Sequence, residues 1–149
     1  MASAYPPPAW VDLDPQRYGR VLNRMALAMV RRQRQRGADF GVKAVMEAIH
    51  ATFQASAGCD PYDGEPLDAG LLAVAEPCLP SGRRDDAAHL RRQPALVMVG
   101  NGQLCAYELV SRQTAQAKGD LTPAEYIAHC RAVVAMAGTD REAATTASA

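Results

Sequence analysis

The sequence predicts an α+β fold, mostly helical, with a central β-hairpin that is followed at once by a helix and preceded by two N-terminal helices. Three observations predict it. Asp14-Pro15 and Gly37 bracket a segment with apolar residues at three- and four-residue spacing; 95–110 reads as strand, Asn-Gly turn and strand; and Thr122-Pro123-Ala124-Glu125 opens a further helix. The 149 residues are the size of one domain. Residues 14–138 read as that domain, with a helical hairpin over 14–57 and a ββα unit plus C-terminal helix over 59–137.

Each element has a local cause. Pro6-Pro7-Pro8 favour an extended polyproline II arm over 1–13, pinned by Trp10. In the first helix Asp14 is the N-cap, Pro15 the first helical residue and Gly37 the stop, while Tyr18, Val21, Leu22, Met25 and Met29 form one apolar stripe. The rest of this helix carries Arg17, Arg20, Arg24, Arg31, Arg32, Arg34 and Arg36 with no acidic residue among them. A second helix starts near Val42, with Asp39 as its cap. It buries Val42, Val45, Met46, Ile49 and Phe53 and leaves His50 at the boundary of that face.

Residues 59–68 (CDPYDGEPLD) read as a tight turn, because Pro61, Asp63-Gly64 and Pro66 all disfavour helix. Its four acidic residues, Asp60, Asp63, Glu65 and Asp68, either offset the arginine helix or mark the face opposite it. Leu71 to Ala75 is too short to type, and 77–93 reads as loop. Ala95 to Val99 is then a buried strand, Gly100-Asn101-Gly102 a turn, and Gln103 to Val110 the second strand, with Leu104, Ala106, Tyr107 and Leu109. Ser111 to Lys118 forms a helix stopped by Gly119. The Thr122–Glu125 capping box starts the last helix, which runs through Tyr126, Ile127, Cys130, Val133 and Val134 to Gly138 and leaves 139–149 as a fraying tail.

Sixteen basic residues balance sixteen acidic ones, so the formal net charge is zero. That zero is a cancellation between a seven-arginine helix and dispersed acids, and it leaves a phosphate or acidic-protein partner open. Cys59, Cys78, Cys105 and Cys130 are widely spaced with no CxxC pair, which argues against a zinc framework and reads as small buried hydrophobes in a reducing compartment. With no secretory pattern at the start and no apolar run of about 18 residues, the expectation is a cytoplasmic protein without a membrane span. No GxSxG, GxxxxGK[ST], GxGxxG or HExxH occurs, and no cofactor or small-molecule substrate is inferred. His129, between apolar positions of the last helix, reads as partly buried and structural. Asp85, Asp86 and His89 would share a face if that stretch is helical, but read more simply as a solvated loop between two Arg-Arg pairs.

Several segments resemble the ββα-metal (HNH, treble-clef-like) nuclease unit of a small bacterial and phage group. Residues 59–68 are similar to its C-P-Y-T-G-x-x-L-D turn, and Pro94 to Val99 to its P-T-V-D-H-V strand. Residues 107–112 (YELVSR) resemble F-E-I-C-S-W, and 118–131 resemble K-N-D-L-S-x-E-E-F-x-x-x-C-R. The likeness covers about half of the chain and implies a ββα fold. In that family a strand Asp binds the metal and the adjacent His activates water. Here those positions hold Val97 and Met98, and the following helix offers Gln113 and Thr114 where Asn or His is expected, which makes a poor site for a divalent cation. The resemblance therefore implies a degenerate domain with no catalytic residue and no metal site. The arginines of the first helix remain to dock it onto a protein or a nucleoprotein assembly. The alternatives are a nucleic-acid binder that uses the same arginines, or a metal-dependent endonuclease whose ligands lie elsewhere in the chain.

Overall fold

A computed structural model describes residues 5–74 and 85–146, with backbone alone for 85–87 and 140–146. The chain divides into two compact units, Met1–Ala117 and Lys118–Ala149. The first carries helices α1 (Pro15–Gln35) and α2 (Val42–Ala55), short 3-10 turns at Ala69–Ala73 and Asp85–Leu90, and the antiparallel pair β1 (Pro94–Met98) and β2 (Tyr107–Ser111). Helix α3 (Arg112–Lys118) follows β2 directly, and the second unit is built on α4 (Pro123–Thr146). The α+β layout matches the expectation.

The capping chemistry expected of α1 is present. The Asp14 carboxylate accepts from the Gln16 and Arg17 amides at 3.0 and 2.9 Å, and Gly37 takes φ +85° just beyond the last turn. Tyr18, Val21, Leu22 and Met29 of the expected stripe are buried and Met25 is half-buried, and Ala26 and Val30 broaden the buried face. Val45, Ile49 and Phe53 of α2 belong to the same core as Leu96 of β1 and Tyr107 and Leu109 of β2. Each large apolar side chain buried there contributes about 1.5–3 kcal/mol. The N-terminal arm is pinned as expected. Trp10 stacks on Phe53 at a ring separation of 5.6 Å, its Nε1 donates to the Phe53 carbonyl at 3.2 Å, and Gln54 donates to the Pro6 carbonyl at 2.9 Å. Gly58 lies against the indole at φ +79°, where a Cβ would stand 3.0 Å from Trp10 Cγ, so the arm's seat requires glycine.

Several expectations need correction. Asp39 does not cap α2, whose N-cap is Gly41 without a side-chain bond; Asp39 instead accepts from Arg34 Nε at 2.8 Å. The second strand begins at Tyr107 and not at Gln103. Residues 99–106 form the connection, with Asn101 at φ +57° and Leu104 exposed. The cause lies in α1: fully buried Gln33 donates to the Gly102 and Leu104 carbonyls at 3.2 and 3.0 Å and accepts from the Tyr107 hydroxyl at 2.7 Å. Those carbonyls are thereby drawn away from strand pairing.

The buried Tyr107 hydroxyl gives a pH prediction. Burial, with Cys105 alongside, pushes the Tyr107 hydroxyl up to about 12. Its share of stability is therefore complete below the ordinary value of 10.0 and is lost as pH climbs towards about 12. In a phenolate absorbance titration, Tyr107→Phe is expected to remove one tyrosine from the late-titrating population; an unchanged late population would overturn the assignment.

In the second unit the capping box forms as expected. The Thr122 amide donates to Glu125 Oε2 at 2.8 Å, and the Glu125 amide to Thr122 Oγ1 at 3.3 Å. Helix α4 then continues through Gly138 to Thr146. One interior glycine costs only about 1 kcal/mol, and the alanine-rich sequence beyond it sustains the helix. His129 is exposed and not partly buried, Cys59 is exposed, Cys105 and Cys130 are half-buried, and Cys78 lies outside the described residues. No helix among the described residues is long and apolar enough to cross a membrane.

Candidate binding site: an arginine-lined cavity

The seven arginines, six on α1 and Arg36 as its C-cap, do not act as one group. At about 100° per residue, Arg17, Arg20, Arg24, Arg31 and Arg32 fall within an arc of about 120°, while Arg34 and Arg36 lie outside it. Arg34 pairs with Asp39, and Arg36 reaches the Asn101 carbonyl at 3.4 Å. Arg17 stands 3.8 Å from Asp14, an exposed pair worth under about 1 kcal/mol. Arg20, Arg31 and Arg32 form no ion pair with a described residue.

The acidic turn does not neutralise this helix. Its Asp63 is held by Arg92 at 2.8 Å, and Arg92 also donates to the Glu65 and Pro66 carbonyls at 2.6 and 3.0 Å. The Asp63 carboxylate beside it pushes the Arg92 guanidinium further up from its ordinary value. Asp68 caps the Gly70 amide at 2.9 Å. Asp60 is buried and accepts from the amides of Ser111 and Tyr62 at 2.8 and 2.9 Å. The turn is therefore tied to Arg92 and to the β2–α3 junction, and the arginines of α1 keep their charge.

Two of those arginines meet a third at a cavity of about 360 Å³ in the first unit. Its apolar lining includes Met25 and Met29 of α1, Leu72, and Leu96 of β1, and Arg24, Arg32 and Arg112 line it as well. Met29, Leu72 and Leu96 are buried, whereas Arg24 and Arg32 are exposed. The spacing of Arg24, Ala28 and Arg32 is one helical face, which carries both guanidinium groups along the opening. Arg24 donates to the Leu72 carbonyl at 2.6 Å, and Arg112 to Gln93 Oε1 at 3.3 Å. Both acceptors are neutral, so the guanidinium groups are positioned without being discharged. Gln93 is itself fixed, with its Nε2 donating to the Leu71 and Val74 carbonyls at 3.0 and 3.2 Å. No acidic residue lines the cavity among the described residues.

The sequence marked Arg24 and Arg32 but missed Arg112 and Gln93. Arg112 starts a helix one residue after a strand, and only the strand register brings it to α1.

The four positions that the sequence resemblance set against metal chemistry, Val97, Met98, Gln113 and Thr114, lie on the hairpin and on α3. Val97 pairs with Glu108 and Met98 with Tyr107 across the hairpin. Glu108 accepts from the Tyr62 hydroxyl at 2.9 Å. Thr114 is buried against the Ser111 hydroxyl at 3.1 Å, and Gln113 is exposed. Among the described residues no three His, Cys, Asp or Glu side chains are grouped to hold a metal ion. His89 is exposed, and the side chains of Asp85 and Asp86 lie outside the described residues. Fold and site together define an α+β protein with an arginine-lined cavity whose lining comes from α1, the hairpin and the helix that follows it. No family model, curated protein or solved structure matches the chain.

Proposed function

We propose that the protein is a non-catalytic HNH-like module that docks onto a protein or nucleoprotein assembly through the arginine side of α1. One observation carries the reading: five arginines share one side of a helix, and of these only Arg17 approaches a described carboxylate. Guanidinium groups in that state suit carboxylate or phosphate partners, which they bind through paired hydrogen bonds. The hairpin followed at once by α3 supports the family likeness, and the apolar Val97 and Met98 support the absence of metal chemistry. The separated cysteines support a reducing compartment, and the cytoplasm is the location proposed.

The test is a pull-down from the native source with the full chain and with an Arg20→Gln, Arg24→Gln, Arg31→Gln variant. The expected result is a stoichiometric protein partner held by the parent chain and lost from the variant. A mobility shift on DNA or RNA without cleavage, with a salt slope that falls by about 2–3 in the variant, would move the reading to a nucleic-acid binder. Nicking of plasmid with Mg²⁺ or Mn²⁺, abolished by EDTA, would overturn the non-catalytic reading.

A further inference from the structure

We infer that the cavity between α1, Leu72, β1 and α3 is a binding site for a small amphipathic anion, with an apolar body inside and a carboxylate or phosphate head on Arg24, Arg32 and Arg112. The site shares two arginines with the proposed docking side, but the cavity and Arg112 are its own, so it stands without a macromolecular partner.

Charge is the first argument. Three cationic residues line one cavity, and no described acidic residue lies in its lining. Like charges on one cavity repel one another, by an amount that solvent reduces at the exposed Arg24 and Arg32. An anion at the opening removes that cost. Arg24 and Arg112 are also held in advance by the Leu72 carbonyl and by Gln93, so little side-chain freedom remains to be lost on binding. Gln93 is in this sense a positioning residue. Its amide nitrogen is occupied by two carbonyls, and its oxygen is left to orient Arg112.

Shape and chemistry of the interior supply the second argument. The wall is methionine and leucine, which gain from replacing water by hydrocarbon, and methionine adapts to varied ligand outlines. At about 30 Å³ per water molecule, a volume of about 360 Å³ holds about a dozen non-hydrogen atoms. A chain of about eight to ten carbons with an acidic head has that count. A bare inorganic anion would leave the apolar wall wet, and a neutral alkane chain would leave the arginines unpaired. The cavity therefore selects for both properties in one molecule.

The test is titration of the assigned, ¹⁵N-labelled full chain with decanoate and with octyl phosphate, each kept well below its micelle concentration. The expected result is a saturable shift of the Leu72, Leu96 and Ala115 amides by one or both. Acetate and octan-1-ol should bind at least tenfold more weakly, and affinity should rise about fourfold per methylene from hexanoate to octanoate. A response to decanoate alone identifies a carboxylate ligand, and one to octyl phosphate alone a phosphate ester. Arg112→Gln should weaken binding about tenfold with an unchanged circular dichroism spectrum. Ala28→Leu, which fills the opening without touching a charge, should weaken it as well. The inference is overturned if neither anion gives a saturable shift, or if shifts gather on the exposed Ile127, Val133, Val134 and Met136 of α4. Equal binding by the Arg112→Gln chain would overturn it too. The pull-down above leaves these outcomes untouched, so either reading can fail alone.

Discussion

Replacement of Phe53 by alanine is expected to lower stability by about 3–5 kcal/mol, read as a fall in the urea midpoint at constant m value. Phe53 is fully buried, and two ring contacts depend on its side chain, while its backbone carbonyl, which the substitution keeps, holds a third. Trp10 stacks on its ring at 5.6 Å, Tyr18 meets it edge-on at 5.9 Å, and its carbonyl accepts from Trp10 Nε1. A domain of this size has only about 5–15 kcal/mol to lose. A second variant separates volume from ring geometry. Phe53→Leu retains most of the apolar volume and is expected to cost less than the alanine change, yet it removes the stack on Trp10. Because Trp10 is the only tryptophan in the chain, its emission should move to longer wavelength in both variants before global unfolding. If emission is unchanged in Phe53→Leu, the arm is held by something other than that stack.

The contrast between Phe53 and Gln33 shows how far the sequence could be read. Phe53 sits at helical spacing from Ile49 and Val45, so its burial follows from local periodicity. Caps are equally local, which is why Asp14, Thr122 and Glu125 were legible. Gln33 lies among arginines, and nothing local separates a solvated glutamine from a fully buried one. Its role comes from two carbonyls and a hydroxyl more than sixty residues away. The shortened second strand has the same origin, since an Asn-Gly pair signals a tight hairpin only when no distant side chain competes for the carbonyls beside it.

At the candidate site the division repeats. Charge density on α1 is a sequence property, and it pointed to Arg24 and Arg32. The cavity takes its lining from α1, Leu72, β1 and α3, which are distant in sequence, so Arg112 and Gln93 became visible only with the fold. Asp39 failed as a cap for a related reason: a carboxylate near a helix start can serve either the backbone amides or a neighbouring guanidinium, and Arg34 lies on the preceding helix within reach.

The second large effect is expected at Asp60, where Asp60→Ala should cost about 3 kcal/mol. The Ser111 and Tyr62 amides would lose their acceptor, and the first lies in a buried setting where an unmade bond costs about 1–3 kcal/mol by itself. Asp60→Asn keeps one carbonyl oxygen and should cost less. The charge is read separately through pH. Burial alone would raise the Asp60 carboxyl, but hydrogen bonds from Thr114, from the Ser111 and Tyr62 amides and from the Ser111 hydroxyl outweigh it and hold the group below its ordinary 3.8. A depressed carboxyl contributes stability that is whole above 3.8 and is lost as pH falls through the folded value. The stability difference between the parent chain and Asp60→Asn, measured by urea unfolding, should therefore shrink as pH falls through that window; a constant difference would mean that the charge contributes nothing. The bond to Ser111 also bears on the cavity, because the next residue is Arg112. A carboxylate in the 59–68 turn thus anchors the strand end from which the third arginine projects, which links the acidic turn to the arginine site through the backbone and not through a direct ion pair.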